Sequence, residues 1–176
     1  MKLAVLCGQR AGLIGLLTAA AEGHQIVEVV AYDDWLADLA RDLGYLVRRS
    51  LAEAVIPHGV DLILCVHGRE VVPPAVLART RYGGVNLHPC LSRYPGKDPV
   101  GRLLKDNGKT ATVGAHWMTD DVDGGPVLVE LDYVLSWETS REAVYSALYP
   151  LYARVVLEAL AMVEHPMYVT GDGGAR

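Results

Sequence analysis

The chain predicts an α/β fold: a doubly wound, mostly parallel sheet with helices on both faces. Three observations predict it. Runs such as Leu62-Ile63-Leu64-Cys65-Val66 are apolar at every position, which suits strands covered on both sides. Segments with helical spacing alternate with these runs, the order that builds parallel sheets. Glycine or proline marks most changes from one element to the next.

Taken in order, residues 2–7 read as a buried strand ended by Gly8. Residues 12–22 carry Leu13, Leu16, Leu17 and Ala20 at helical spacing and stop at Gly23. Residues 25–31 are β-branched, a strand. Asp33 or Asp34 then caps a helix through Trp35, Leu36, Leu39 and Leu43 to Gly44. A short strand over 45–47 and a helical turn over 51–56 follow. Residues 61–66 are the clearest strand. Pro73 and Pro74 open a short helix over 75–79. A strand over 83–88, a Pro/Gly-bearing loop over 89–99 and a helix over 100–107 come next. Strands over 110–118 and 127–135 flank the acidic loop 119–126. The last helix, 139–164, has Thr139 as cap with Glu142 three residues on, and Pro150 inside it should kink or split it. A single domain over 1–170 is expected, with a mobile Gly-rich tail over 171–176.

Composition narrows the function. Of 176 residues, 51% are hydrophobic and 21% charged, as in a soluble globular protein. Lys plus Arg number 16 and Asp plus Glu 21, so the formal charge is 16 − 21 = −5. No basic stripe stands out, which argues against nucleic acid or an anionic membrane as partner. Cys7, Cys65 and Cys90 are widely spaced and read as free thiols, Cys7 and Cys65 as buried ones, rather than a disulfide framework or a zinc site. No apolar segment approaches the ~18 residues of a membrane span. The first apolar run is too short, and too soon followed by Arg10, for a signal peptide. A reducing, cytoplasmic setting is the default expectation.

Two places break the pattern. In Gly84-Val85-Asn86-Leu87-His88-Pro89, Asn86 and His88 share one strand face where apolar residues are expected, and Pro89 ends the ladder. Ligands of α/β proteins bind at the carboxyl ends of strands. An amide and an imidazole there suit charge developing on a carbonyl, although a polar pair closing a strand fits equally. The loop Thr119-Asp120-Asp121-Val122-Asp123-Gly124-Gly125-Pro126 crowds three carboxylates beside two glycines. It lacks the ligand ladder of a calcium loop, and alone it reads as a solvated acidic hairpin.

Four blocks occur in sequence: Asn86-Leu87-His88-Pro89, Arg93-Tyr94-Pro95-Gly96, Thr112-Val113-Gly114-Ala115-His116 and Asp123-Gly124-Gly125-Pro126-Val127. In this combination the chain resembles the folate-dependent formyltransferase family, which includes glycinamide ribonucleotide, methionyl-tRNA and sugar-amine formyltransferases. The resemblance implies a Rossmann-like formyltransferase fold. It implies 10-formyltetrahydrofolate as cosubstrate, no metal, and a primary amine of a small molecule as acceptor, attacking the formyl carbon directly. The family's Asn-His-Asp triad falls on Asn86, His88 and Asp123, with Asn86 and protonated His88 holding the oxyanion and Asp123 orienting His88. Donor contacts fall on Arg69, Val71, His116 and Asp120, and acceptor contacts on Gly8, Arg10, Tyr94 and Gly96. The turn Gly8-Gln9-Arg10-Ala11-Gly12 opens a helix where backbone N–H groups and Arg10 are placed to meet a phosphate. A satisfied strand histidine fits His116 as well as a site residue does.

The chain also departs from the pattern. Relatives write Ser-Leu-Leu-Pro after His-Pro where this chain writes Cys90-Leu91-Ser92-Arg93, one residue shorter. Two alternatives stand beside enzymatic transfer. One is a nucleotide-dependent oxidoreductase using Gly8 and the pair Asp33-Asp34, without the glycine fingerprint. The other is a non-catalytic folate-binding scaffold. A homo-oligomer is possible through the apolar face Leu148, Leu151, Val155, Val156 and Leu160 of the last helix, although covering the sheet is its better use.

Overall fold

The apolar run Lys2–Cys7 forms β1, an interior strand of a seven-stranded sheet, in the computed structural model, which describes residues 1–165. After it come α1 (Gln9–Ala21), β2 (Gln25–Ala31), α2 (Asp34–Asp42), β3 (Val47–Arg48), β4 (Leu62–Val66), α3 (Pro74–Leu77), β5 (Gly84–Pro89), α4 (Pro99–Lys105), β6 (Thr110–Trp117), β7 (Val127–Val134) and α5 (Arg141–Glu164). The expected tail over 171–176 lies outside the described residues.

The strand order is β3-β2-β1-β4-β5-β6-β7. Strands β1 to β5 run parallel, β6 pairs antiparallel with β5, and β7 pairs antiparallel with β6. The chain leaves β1 outward to β2 and later re-enters on the other side at β4. This reversal opens a crevice above the carboxyl ends of β1 and β4.

Both faces of the sheet are covered, by unequal means. Buried residues of α1, α2, α4 and α5 share one core with Leu3, Val5, Leu64 and Leu87. On the other face Ala4, Leu6, Ile63 and Cys65 pack under Ile56, Val60 and Val72, with the four-residue α3 beside them. Leu148, Val155, Val156 and Leu160 of α5 are buried and Leu151 packs against the same core, so this face covers the sheet. That corrects the membrane test made on apolar runs. By length and composition α5 is apolar enough to cross a bilayer, with a mean hydropathy of 1.3. Its apolar residues are spent on the sheet instead.

Local differences from expectation have tertiary causes. Helix α1 starts at Gln9 rather than residue 12, because the remote Asp33 carboxylate accepts the Gln9 N–H at 2.6 Å. Strand β3 starts at Val47 rather than residue 45, since Gly44 turns left-handed and the Tyr45 N–H donates back to the Ala40 carbonyl. Residues 51–56 form turns, not a helical turn. The Ile56 N–H donates at 3.0 Å to buried Glu28, which also pairs with Arg48. Ser140, not Thr139, caps α5 by accepting from the Ala143 N–H. Pro150 does not split α5, whose two halves bury Val144 and Leu148 before it and Tyr152 and Val155 after it.

Candidate active site

Asn86 and His88 point to one side of β5, as alternate residues must. The antiparallel register sets His116 of β6 directly opposite Asn86, so the two side chains meet across the ladder. Trp117 ends β6, and the loop after it folds back under tight geometric constraint. An added Cβ at Gly125 would stand 1.8 Å from the Trp117 carbonyl oxygen, so only glycine fits there. Asp123 takes a left-handed backbone, φ 55°, which aims its side chain into the site rather than to solvent.

Four side chains converge. His88 Nε2 lies 3.3 Å from Asp123 Oδ2, and Asn86 Nδ2 donates to Asp123 Oδ1 at 3.3 Å. His116 Nε2 accepts from Asn86 Nδ2 at 3.1 Å and lies 3.4 Å from Asp123 Oδ1. Its other nitrogen, Nδ1, donates to the Trp117 carbonyl at 2.9 Å. Gly96 closes the ring of contacts from the 89–99 loop: its N–H donates to Asp123 Oδ2 at 2.8 Å, and its carbonyl accepts from His88 Nε2 at 3.0 Å. The left-handed φ of 81° at Gly96 makes this double contact possible.

The electrostatics correct one expectation. Burial of the ring pulls His88 below the ordinary imidazole value, and this outweighs Asp123 and the Gly96 and Pro89 backbones, which favour the charged form. The surroundings of His88 therefore favour the neutral ring over the protonated one that was expected. With the Nε2 proton on Gly96 the neutral ring keeps a bare Nδ1, which is buried and makes no well-formed hydrogen bond. Asp123 is held below the usual carboxylate range, first by hydrogen bonding from His116 and further by His88 and the Gly96 N–H.

These residues line a cavity of about 390 Å³. Its lining includes the apolar Val71, Val72, Met118 and Val122, the main chain around Gly68, and the polar Gln9, His67, Lys97, Asp98 and Tyr145. Of the residues read from sequence, Asn86, His88, Asp123, His116 and Gly96 come together, and Arg69 and Val71 stand on the wall. Four do not come to it. Asp120 is off the wall, which takes Thr119, Asp121 and Val122 instead. Gly8 is buried with its N–H on the Val66 carbonyl, and an added Cβ would meet the His67 carbonyl at 2.5 Å, so it is a packing glycine. Arg10 lines a separate depression with Leu13, Trp35 and Glu142. Tyr94 is buried, its hydroxyl donating to Asp106. The phosphate reading of the 8–12 turn also fails, because Asp33 already occupies the first N–H of α1 and pairs with Arg69.

Sequence reasoning missed Gln9, His67 and Tyr145. The signal for His67 was available: it stands one residue past β4, at the strand end where α/β proteins bind ligands.

The described geometry is that of an α/β domain with a cluster of Asn86, His88, His116 and Asp123 in a cavity at its switch point. The chain belongs to the formyl transferase family, whose model matches residues 1–160. A methionyl-tRNA formyltransferase of Rickettsia massiliae is 25% identical over 130 residues, 72% of this chain and 43% of its own length. One from Rickettsia bellii is 26% identical over 149 residues, 82% of this chain and 49% of its own length. The chain thus spans less than half the length of these curated relatives. Among solved structures, glycinamide ribonucleotide transformylase 1 from Symbiobacterium toebii superposes with a TM-score of 0.80 at 22% identity, covering 93% of this chain and 88% of that one. A formyltetrahydrofolate deformylase from Burkholderia mallei gives 0.73 at 21% identity, covering 93% and 65%. At such identities these structures speak for the fold alone. Family membership sets the oxidoreductase alternative aside.

Proposed function

We propose that this chain transfers a formyl group from 10-formyltetrahydrofolate to a primary amine of a small molecule. The observation that carries this reading is the meeting of Asn86 and His88 of β5 with Asp123 of the 119–126 loop, inside hydrogen-bonding range in one cavity. An amide donor and an imidazole beside a carboxylate suit a carbonyl that becomes an oxyanion. The apolar wall of Val71, Val72, Met118 and Val122 suits a flat heteroaromatic donor.

The chemistry asks the chain to hold charge and move one proton. When the amine adds to the formyl carbon, negative charge appears on oxygen and positive charge on nitrogen. Asn86 stabilises the oxygen with its N–H. The bare Nδ1 of His88 is buried, so the surplus amine proton passes through water to the Asp123 carboxylate, which lies 3.3 Å from His88 Nε2. The same proton then goes to the departing folate nitrogen as the carbon–nitrogen bond breaks, leaving Asp123 ionised again. His116 keeps the amide and carboxylate aligned throughout. The intact corner favours catalysis over a folate-binding scaffold. A small-molecule acceptor, rather than a nucleic acid, is supported by the acidic charge balance, and three free thiols suit a reducing cytoplasm.

Incubation with labelled formyl donor and a panel of amines, followed by mass spectrometry, tests the reading. One acceptor should gain a single formyl group in a His88-dependent way. Tight folate binding with no formylated product from any amine would favour the scaffold.

A further inference from the structure

The 89–99 loop delivers Gly96 to the corner, where its carbonyl accepts from His88 Nε2 at 3.0 Å and its N–H donates to Asp123 Oδ2 at 2.8 Å. One glycine thus sets which ring nitrogen of His88 carries the proton and how the Asp123 carboxylate is turned. Local structure does not hold Gly96 in that place. It lies between exposed Pro95 and Lys97, outside any helix or strand. Its left-handed φ of 81° shapes a turn without fixing where the turn sits.

The hold comes from α4. Arg102 Nη2 donates to the carbonyls of Tyr94 at 2.7 Å and Pro95 at 2.6 Å, the two residues immediately before Gly96. Among the described residues no backbone N–H reaches either carbonyl, and Arg102 forms none of the ion pairs. Its Nε is buried with no acceptor there, which costs stability. The charge of this side chain is therefore spent on two carbonyls and on the Tyr94 ring, whose centroid is 5.7 Å from the guanidinium carbon. One nitrogen that grips two successive carbonyls fixes the direction of the chain entering Gly96 as well as its position. The frame behind it is rigid, since Val100 and Leu103 of α4 are buried in the core.

The rest of the loop is docked without Arg102. The Cys90 N–H donates to the Thr112 carbonyl, the Tyr94 N–H to the Cys90 carbonyl, the Ser92 N–H to Glu130, and the Tyr94 hydroxyl to Asp106. Loss of the guanidinium therefore frees the approach to Gly96 while the loop stays attached as far as Tyr94. A displacement of ~1 Å at Gly96 takes both of its bonds out of good geometry, and a misplacement of that size can cost ~10²-fold in rate.

We propose that Arg102, which does not line the cavity, is a positioning residue for formyl transfer: by holding the Tyr94 and Pro95 carbonyls it keeps Gly96 against His88 and Asp123. This rests on the formyl-transfer reading.

The test compares the wild-type chain with Arg102→Met, which keeps an apolar stem beside Tyr94 and removes every donor, and with Arg102→Lys. Nitrogen-15 NMR in mildly alkaline solution reads the imidazole tautomers. Wild-type His88 should carry its proton on Nε2. In Arg102→Met it should become a mixture of tautomers, and the Gly96 amide proton should move upfield as its bond to Asp123 weakens. The His67 ring, held by Gln9 and Tyr152, should not change, which separates an effect on Gly96 from general loosening. With the amine accepted in the formylation panel, kcat should fall ~10–10²-fold while the donor KM stays within about twofold. Arg102→Lys restores a charged donor and should recover part of both the rate and the Nε2 tautomer; it also carries the comparison if Arg102→Met does not fold. An unmoved His88 tautomer and Gly96 amide, an equal change at His67, or a loss confined to KM overturns the inference. A wild-type chain that formylates no amine strikes instead at the formyl-transfer reading, so the two failures are told apart.

Discussion

Two histidines sit on the same cavity and differ in what surrounds them. Burial lowers the proton affinity of both His88 and His67. His88 keeps a carboxylate 3.3 Å from its Nε2, so a proton arriving during reaction finds a partner. His67 is bonded only to a glutamine oxygen and a tyrosine hydroxyl, neither of which can neutralise an imidazolium, and its pKa falls to about 4. One site can take up charge and the other cannot. The chemistry of a histidine is set by whether its hydrogen-bond partners can become a counter-ion.

Removing the chargeable ring should have the largest effect. His88→Ala, and likewise Asn86→Ala, should lower turnover by ~10²–10³ while circular dichroism melting stays near wild type. Full activity in either variant would break the comparison. Asp123→Asn comes next. It takes away the group that favours the charged ring, so His88 should titrate at still lower pH by NMR, and turnover should fall by ~10². A His88 titration unmoved by this change would show that Asp123 does not act through the imidazole.

The uncharged ring gives a stability signature. His67 binds a proton near pH 6.5 when unfolded and only near 4 when folded, so the unfolded state holds more protons between these values. Its contribution is complete above pH 6.5 and is lost as pH falls towards 4, on the order of 3 kcal/mol in all. His88 acts with the same sign. Urea denaturation from pH 7 to 4 should show this slope, and His67→Gln should flatten it. The smallest effect belongs to Arg69, half-exposed and paired with Asp33. Arg69→Ala should cost under ~1 kcal/mol, a Tm change of a few degrees or less.

The two halves of the site also differ in how they show in the sequence. Asn86 and His88 interrupt a buried strand, where polar residues are out of place, and Asp123 stands beside glycines that a tight return requires. Those irregularities are visible without coordinates. Gln9 and His67 lie just past strand ends, where polar residues are ordinary, so their place after a strand is the one local sign they give. Nothing local relates residue 9 to residue 67, and still less to Tyr152. Their pairing depends on β1 and β4 being neighbours although β2 and β3 come between them in the chain.

By itself the sequence determined the layered α/β class, the positions of most strands, and the candidate corner of Asn86, His88 and Asp123, because periodicity, punctuation and misplaced polar residues are short-range facts. Only the tertiary structure decided that Asp33 takes the first N–H of α1, that Gly8 and Tyr94 serve packing, and that burial lowers the proton affinity of His88. Each depends on burial or on a partner far away in the chain, and a group's charge is settled by what surrounds it in space.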